Sequence, residues 1–350
     1  MFMHAVAAIS QSALSHNLNV VRTQAPHAKI ICMVKANAYG HRFDLIKPLL
    51  QCDLLAVSEL SEARILRQYT ALPILLLSGV FNEHDLIEAI KLGCHLVLHD
   101  LSQLSIIGNS KQPVTVWLKV DTGMHRLGLS SSELSICLEQ INNHSNILVE
   151  CIMSHFSCAD ELENTNNLKQ LNYFNQIKVD GVNRSIANSA AILSLPQSHF
   201  EYVRPGIMLY GVSPFSTVDE KLQPVMELSA PIMSVKSIDK GDSVGYGSSW
   251  TAKQNTKIAI IGIGYGDGYP RHAKNGTPVL INNTLCSLIG RVSMDLICVN
   301  IEDLHVSVGD KAILWGHDKL HVETVAKHSD TIGYELLTSV SSRVDFIVHD

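Results

Sequence analysis

Lys35 stands at the carboxyl end of the apolar run 28–33, and Tyr39, Gly40 and His41 follow within six residues. A lysine where a buried strand ends is partly desolvated. Desolvation favours the neutral amine, and a neutral amine forms a Schiff base with an aldehyde. Strand-end lysines are more often solvated, but here a hydroxyl, a permissive backbone position and an imidazole share the loop, a mixture typical of a site. Further groups of this kind recur downstream: Lys119-Val120-Asp121-Thr122-Gly123-Met124-His125-Arg126-Leu127-Gly128, Ser154-His155-Phe156, Asn188-Ser189 and Arg204-Pro205-Gly206-Ile207. Ser189, Gly206 and Ile207 offer a hydroxyl and backbone N–H groups to a phosphate, the same donors that serve a helix cap or a turn. Arg204 is a planar, permanently charged fork suited to a carboxylate or a ring nitrogen, and an Asp or Arg is the usual partner of that nitrogen in pyridoxal enzymes.

The elements that carry these groups alternate. Short apolar runs at 29–34, 54–57, 73–77, 95–98, 114–120, 148–153, 184–187 and 202–204 are separated by helix-period segments, one marked by Leu86, Ile87 and Ile90 and another by Leu134, Leu138 and Ile141. Eight strands alternating with helices predict an α/β fold, a parallel β/α (TIM-like) barrel. A doubly wound open sheet has the same strand count, but no GxGxxG turn follows the first strand. In the barrel reading the polar clusters fall where strands end, the face on which such barrels place their active sites. After Gly211 the rhythm changes to short alternating strands with Gly and Asn turns, predicted at 232–238, 257–262, 278–281, 286–292, 297–299 and 311–314. That pattern reads as a mostly antiparallel β domain. The boundary falls near 215–225, giving a barrel domain at 1–220 and a β domain at 221–350, which residues 1 to about 10 are free to join.

With 350 residues, a formal charge of −6 and 17% charged residues, the chain has no basic patch to suggest nucleic-acid or anionic-membrane binding. The eight cysteines are scattered without a CxxC pair, as expected of reduced core residues in a cytoplasmic protein. No secretory signal, membrane span or metal site is expected.

The stretch Val34-Lys35-Ala36-Asn37-Ala38-Tyr39-Gly40-His41 resembles the pyridoxal-phosphate lysine motif of the alanine racemase family, and the likeness extends from about residue 5 to 345. Val244-Gly245-Tyr246-Gly247-Ser248-Ser249-Trp250 resembles the family's catalytic tyrosine motif, although by local sequence a tyrosine between glycines is more often a turn aromatic. The resemblance implies a homodimeric alanine racemase that interconverts L- and D-alanine through a pyridoxal-phosphate aldimine and two-base proton exchange, supplying D-alanine for peptidoglycan. It implies that Lys35 takes the Cα proton from D-alanine and Tyr246, from the partner chain, takes it from L-alanine. It places Arg204 against the ring nitrogen, His155 against the cofactor ring, and Tyr39 and Tyr334 near the phosphate and channel mouth. Arg126 and the backbone N–H of Met294 would bind the substrate carboxylate, Tyr265 would gate the channel, and Lys119 matches a lysine carbamylated in some members. Three departures touch the edges of these motifs: Arg42 replaces a common glycine, Ser293 a frequent cysteine, and Asp345-Phe346 follows Arg343-Val344 where another arginine is usual. Alternatives are a serine or broad-specificity racemase, a barrel-type decarboxylase, which would want an acidic partner at the ring nitrogen, and a non-catalytic pyridoxal-phosphate carrier, which would lack the β domain.

Overall fold

Val6–Ile9 (β1) pairs with strands from the far end of the chain and is taken up with them. After it come runs buried on both faces, which read as near-continuous apolar sequence because helices cover one side of a parallel sheet and the core fills the other. A computed structural model describing residues 4–350 shows these runs as β2 (Lys29–Met33), β3 (Leu54–Val57), β4 (Ile74–Leu76), β5 (Cys94–Leu98), β6 (Val114–Lys119), β7 (Ile147–Met153), β8 (Asn183–Ser185) and β9 (Tyr202–Val203). They form one parallel sheet in the order β8-β7-β6-β5-β4-β3-β2-β9. From β2 to β8 chain neighbours are sheet neighbours, and β9 pairs with β2 at the far edge with no reversal of strand order in between, so the doubly wound alternative is excluded. Between β8 and β9 the Ser185 hydroxyl donates to the Tyr202 carbonyl at 2.9 Å, and Arg204 N–H donates to the Ala187 carbonyl at 2.9 Å. Those bonds all but close the barrel.

The covering helices start where side chains replace missing backbone partners. Asn82 accepts from Asp85 N–H at the head of Glu83–Lys91, and Ser130 with Glu133 makes a capping box before Ser131–Ile141. Leu86 and Ala89 are buried in the first helix, whereas Ile87, expected on that stripe, is 54% exposed. In the second helix Cys137 joins Leu134 and Ile141 as the buried stripe.

Contacts divide the chain into two compact units, one of Ser15–Ala38 with Arg42–Leu209, the other of the residues up to Leu14 with Tyr39–His41 and Tyr210–Asp350. The second unit contains β10 (Met226–Ile238), β11 (Ser243–Val244), β12 (Trp250–Thr251), β13 (Thr256–Ile261), β14 (Pro278–Ile281), β15 (Thr284–Ile289), β16 (Ile297–Asn300), β17 (Lys311–Trp315) and β18 (Asp345–Val348). Antiparallel pairing runs round a ring, β10-β13-β16-β15-β14-β17 and back to β10, while β1 adds to β10 and β18 adds to β1 in parallel. The strand expected at 232–238 in fact begins at Met226. Pro231 masks its first half in the sequence, because proline has no N–H for the ladder; here it sits next to a register shift at Ile232. All eight cysteines are free thiols, and no helix among the described residues is long and apolar enough to cross a membrane.

Candidate active site

Lys35 lies two residues past the end of β2, after Val34, and opens an unusual piece of backbone. Ala36, Asn37, Ala38 and Tyr39 have φ of 53°, 51°, 58° and 51°, so four consecutive residues with side chains are left-handed. Each such residue costs about 1–2 kcal/mol relative to the right-handed form, and conformations of this kind persist only where their surroundings over-determine them. Glu62 supplies that determination at the start of the turn. One of its carboxylate oxygens accepts from Ala36 N–H at 2.6 Å and Asn37 N–H at 3.4 Å; the other accepts from Ser58 N–H at 2.9 Å and Glu59 N–H at 3.1 Å. The Asn37 side chain accepts from Phe43 N–H at 3.2 Å. At Gly40, φ is +80° and a Cβ would run into the Leu337 carbonyl, which leaves glycine as the only residue that fits. Arg42, which replaces the family's glycine, itself takes φ of 70°.

Five basic groups gather at the barrel strand ends. Arg204, 4% exposed, donates to the Ser185 hydroxyl at 2.6 Å and to the carbonyls of Ser154 and Ile186. Its Nη2 also lies 3.4 Å from His155 Nδ1. A guanidinium only donates, so that nitrogen accepts and the imidazole proton resides on Nε2. Burial, then the charges of Arg204, Arg126, Lys119 and Lys35, hold His155 well below the ordinary imidazole range, and it is therefore neutral at pH 7. Burial and then Arg126 lower Lys35, with Glu62 acting the other way. Burial, Arg126, Arg204 and Lys35 bring Lys119 down to about 8, against the pull of Asp121. Burial takes Arg204 down to about 10, which leaves it protonated. So much positive charge, opposed at the lysines by Glu62 and Asp121, suits an anionic ligand.

Ser189 begins the helix Ser189–Ser194, and its hydroxyl oxygen accepts from Gly206 N–H at 2.8 Å and Met208 N–H at 3.4 Å. Both lone pairs are thereby engaged, and the hydroxyl proton remains to be donated. The Gly206 N–H, one of the donors the sequence offers to a phosphate, here donates to the Ser189 hydroxyl. Ile207 is fully buried and opens a short 3₁₀ turn, so its side chain serves packing.

In the second unit Tyr39 stacks on Tyr210, with ring centroids 4.8 Å apart, and its ring lies 6.1 Å from Tyr334. Burial pushes the Tyr39 hydroxyl up to about 12. Tyr246 stands 69% exposed between β11 and β12, with Arg291 packed beside the flanking Gly247. Tyr265 and Met294 come together because Tyr265 N–H donates to the Ser293 carbonyl at 3.0 Å and Gly266 N–H to the Met294 carbonyl at 2.8 Å. A Cβ on Gly264 would collide with both of those carbonyls. Arg343 braces this pair of loops, bonding Asp267 at 3.2 Å and Asp295 at 2.6 Å.

Two positioning residues escaped the sequence reading: Glu62 was legible only as the N3 residue of a capping box, and Ser185 carried no local signal. Asp121, named there only as part of its cluster, accepts from the N–H groups of Gly123, Met124 and His125 and so fixes an Asp-x-Gly turn.

Residues 9–214 match the family model for the alanine racemase N-terminal domain, and residues 225–348 that for the C-terminal domain. The alanine racemase of Vesicomyosocius okutanii subsp. Calyptogena okutanii (strain HA) is 61% identical over 348 residues, 99% of each chain. The structure of alanine racemase from Acinetobacter baumannii has a TM-score of 0.95 and 38% identity, covering 99% of this chain and 100% of that one. An alanine racemase structure from Bartonella henselae, described with covalently bound pyridoxal phosphate, has a TM-score of 0.92 and 29% identity, covering 99% of each chain. Because the two models account for both halves and the relatives match end to end, the chain belongs to the alanine racemase family.

Proposed function

We propose that this chain interconverts L- and D-alanine with pyridoxal phosphate held at the carboxyl ends of the barrel strands, as a homodimer in the cytoplasm that provides D-alanine for peptidoglycan. The observation that carries the reading is the buried Arg204 joined to a neutral His155 beside the two lowered lysines. The residues present fit the cofactor. A permanently protonated arginine is suited to an unprotonated ring nitrogen, and the unspent Ser189 hydroxyl proton to a phosphate oxygen. When bound, the cofactor supplies the electron sink that stabilises negative charge left at Cα.

The protein's own groups do the rest. Lys35, with its lowered basicity, anchors the cofactor and exchanges the Cα proton of D-alanine, while Tyr246 exchanges that of L-alanine from the opposite face. His155 packs against the cofactor ring. Arg126 and Met294 N–H receive the substrate carboxylate, Tyr265 stands at the channel, and Tyr39 and Tyr334, with Ser189, Gly206 and Ile207, line the phosphate end. Residues 1–220 form the cofactor-binding domain in this reading, and 221–350 the domain that brings the second base. In D₂O, enantiopure L-alanine with the holoenzyme loses its optical rotation, and both enantiomers gain deuterium at Cα. Retained rotation rejects the reading, and a faster loss with serine in a parallel run favours the serine racemase alternative.

Lys119 is proposed as a carbamate. Its neutral amine attacks carbon dioxide, a C–N bond forms, one C=O electron pair moves onto oxygen, and a proton leaves the nitrogen. At about 8, roughly a tenth of the amine is neutral at pH 7, against roughly one part in three thousand at the ordinary value. The product anion offsets the charge of Arg126 and Arg204. Protein equilibrated with ¹³C-bicarbonate should therefore show a carbamate carbon signal that is lost in Lys119→Ala and strengthens from pH 7 to 8.5. A spectrum identical in both proteins rejects the assignment.

A further inference from the structure

The left-handed turn after Lys35 has a single carboxylate at its root. Four backbone N–H groups from two separate segments, Ala36 and Asn37 after β2 and Ser58 and Glu59 after β3, converge on Glu62, two on each oxygen. A helix cap at Leu60–Leu66 needs only the Glu59 half of this arrangement. The other half reaches across to the residues that immediately follow the lysine. Asn37 then continues the clamp, its carbonyl accepting from Arg42 N–H at 2.9 Å and its side chain from Phe43 N–H. Of the charges acting on Lys35, Glu62 is the negative one.

We propose that Glu62 is the positioning residue for Lys35: by holding the first two N–H groups of the left-handed turn it fixes the direction in which the lysine amine is delivered, and so governs the proton step that Lys35 performs. This rests on the reading of Lys35 as the base for D-alanine. The carboxylate of Glu62 accepts from the first two N–H groups of that turn, those of Ala36 and Asn37. A displacement of the amine by about 1 Å is enough to slow a proton transfer roughly 100-fold. The effect is confined to one of the two bases. Tyr246 lies in a different segment, and none of the hydrogen bonds at Glu62 involves it.

That asymmetry makes the test. Glu62→Gln is nearly isosteric, but whichever way its amide lies its NH₂ faces one of the two N–H pairs and cannot accept from it, and the oxygen left to the other pair carries no full charge to hold it. The variant holoenzyme is compared with wild type using Cα-deuterated D-alanine and Cα-deuterated L-alanine, and exchange of the Ala36 and Asn37 amides is followed by mass spectrometry on the full chain. The expected result is a turnover about 10- to 100-fold lower, with faster exchange at both amides. The isotope effect should rise from D-alanine, because the lysine step becomes rate-limiting, and fall towards one from L-alanine, because proton removal by the tyrosine then reaches equilibrium first. Isotope effects that stay put or move together overturn the proposal and leave Glu62 as a helix cap. Opposed movement with the enantiomers interchanged keeps Glu62 coupled to Lys35 and overturns only the assignment of bases. An inactive wild-type enzyme, by contrast, is a failure of the proposed function. Should Glu62→Gln fold poorly, Glu62→Asp, with the same charge at shorter reach, is read by the same pair of isotope effects.

Discussion

Lys35→Ala should lower racemisation by roughly 10⁴-fold or more, since it removes both a general base, worth about 10²–10⁴-fold alone, and the amine that anchors the cofactor. The substitution is not expected to unfold the chain. A lysine lowered by burial and by Arg126 binds fewer protons folded than unfolded. Its contribution to stability therefore rises with pH and is unfavourable below its folded pKa, so that removing it relieves the basic cluster. Borohydride reduction of the holoenzyme followed by peptide mapping checks the chemistry without relying on turnover: wild type should carry the label on Lys35, and Lys35→Ala should carry none. Label elsewhere in wild type, or undiminished turnover in a folded Lys35→Ala, removes Lys35 from its role.

The second large effect is a recovery. Lys35→Ala and Tyr246→Phe homodimers should each be nearly inactive, yet refolding them together should restore activity. In a two-fold dimer whose sites each draw Lys35 from one chain and Tyr246 from the other, a mixed dimer has one site with both lesions and one intact. Random exchange makes half of the dimers mixed, and half of their sites work, so about a quarter of wild-type activity returns. Tyr246 is 69% exposed on its own chain and so available to a partner. If the tyrosine acted within its own chain, every site would carry a lesion and nothing would return. Differential tagging that verifies mixed dimers while activity stays at the homodimer level would reject the shared site.

The barrel was legible in the sequence because burial on both faces leaves a direct trace. Strands such as β3 and β4 are wholly buried, and such strands can only be written as apolar runs. The reactive groups were legible too, because Lys35, His155 and Arg204 are conspicuous by residue type at strand ends. The order of the strands chose between the two α/β folds, and that choice lay in hydrogen bonding. Pairing between distant segments had no local signal: β1 and β18 lie side by side in parallel register from opposite ends of the chain, and β10 hid its first half behind Pro231.

The left-handed turn escaped for a sharper reason. Nothing in Ala36-Asn37-Ala38-Tyr39 favours positive φ at four positions, alanine least of all. The conformation is imposed from outside by a carboxylate 26 positions further along the chain, which meets the turn only because β2 and β3 are adjacent strands. The sequence by itself thus determined which groups are present and which strands present them. The tertiary structure alone decided how the lysine is aimed and why the imidazole beside Arg204 is neutral, since both follow from charges and N–H groups that only folding brings within a few ångströms.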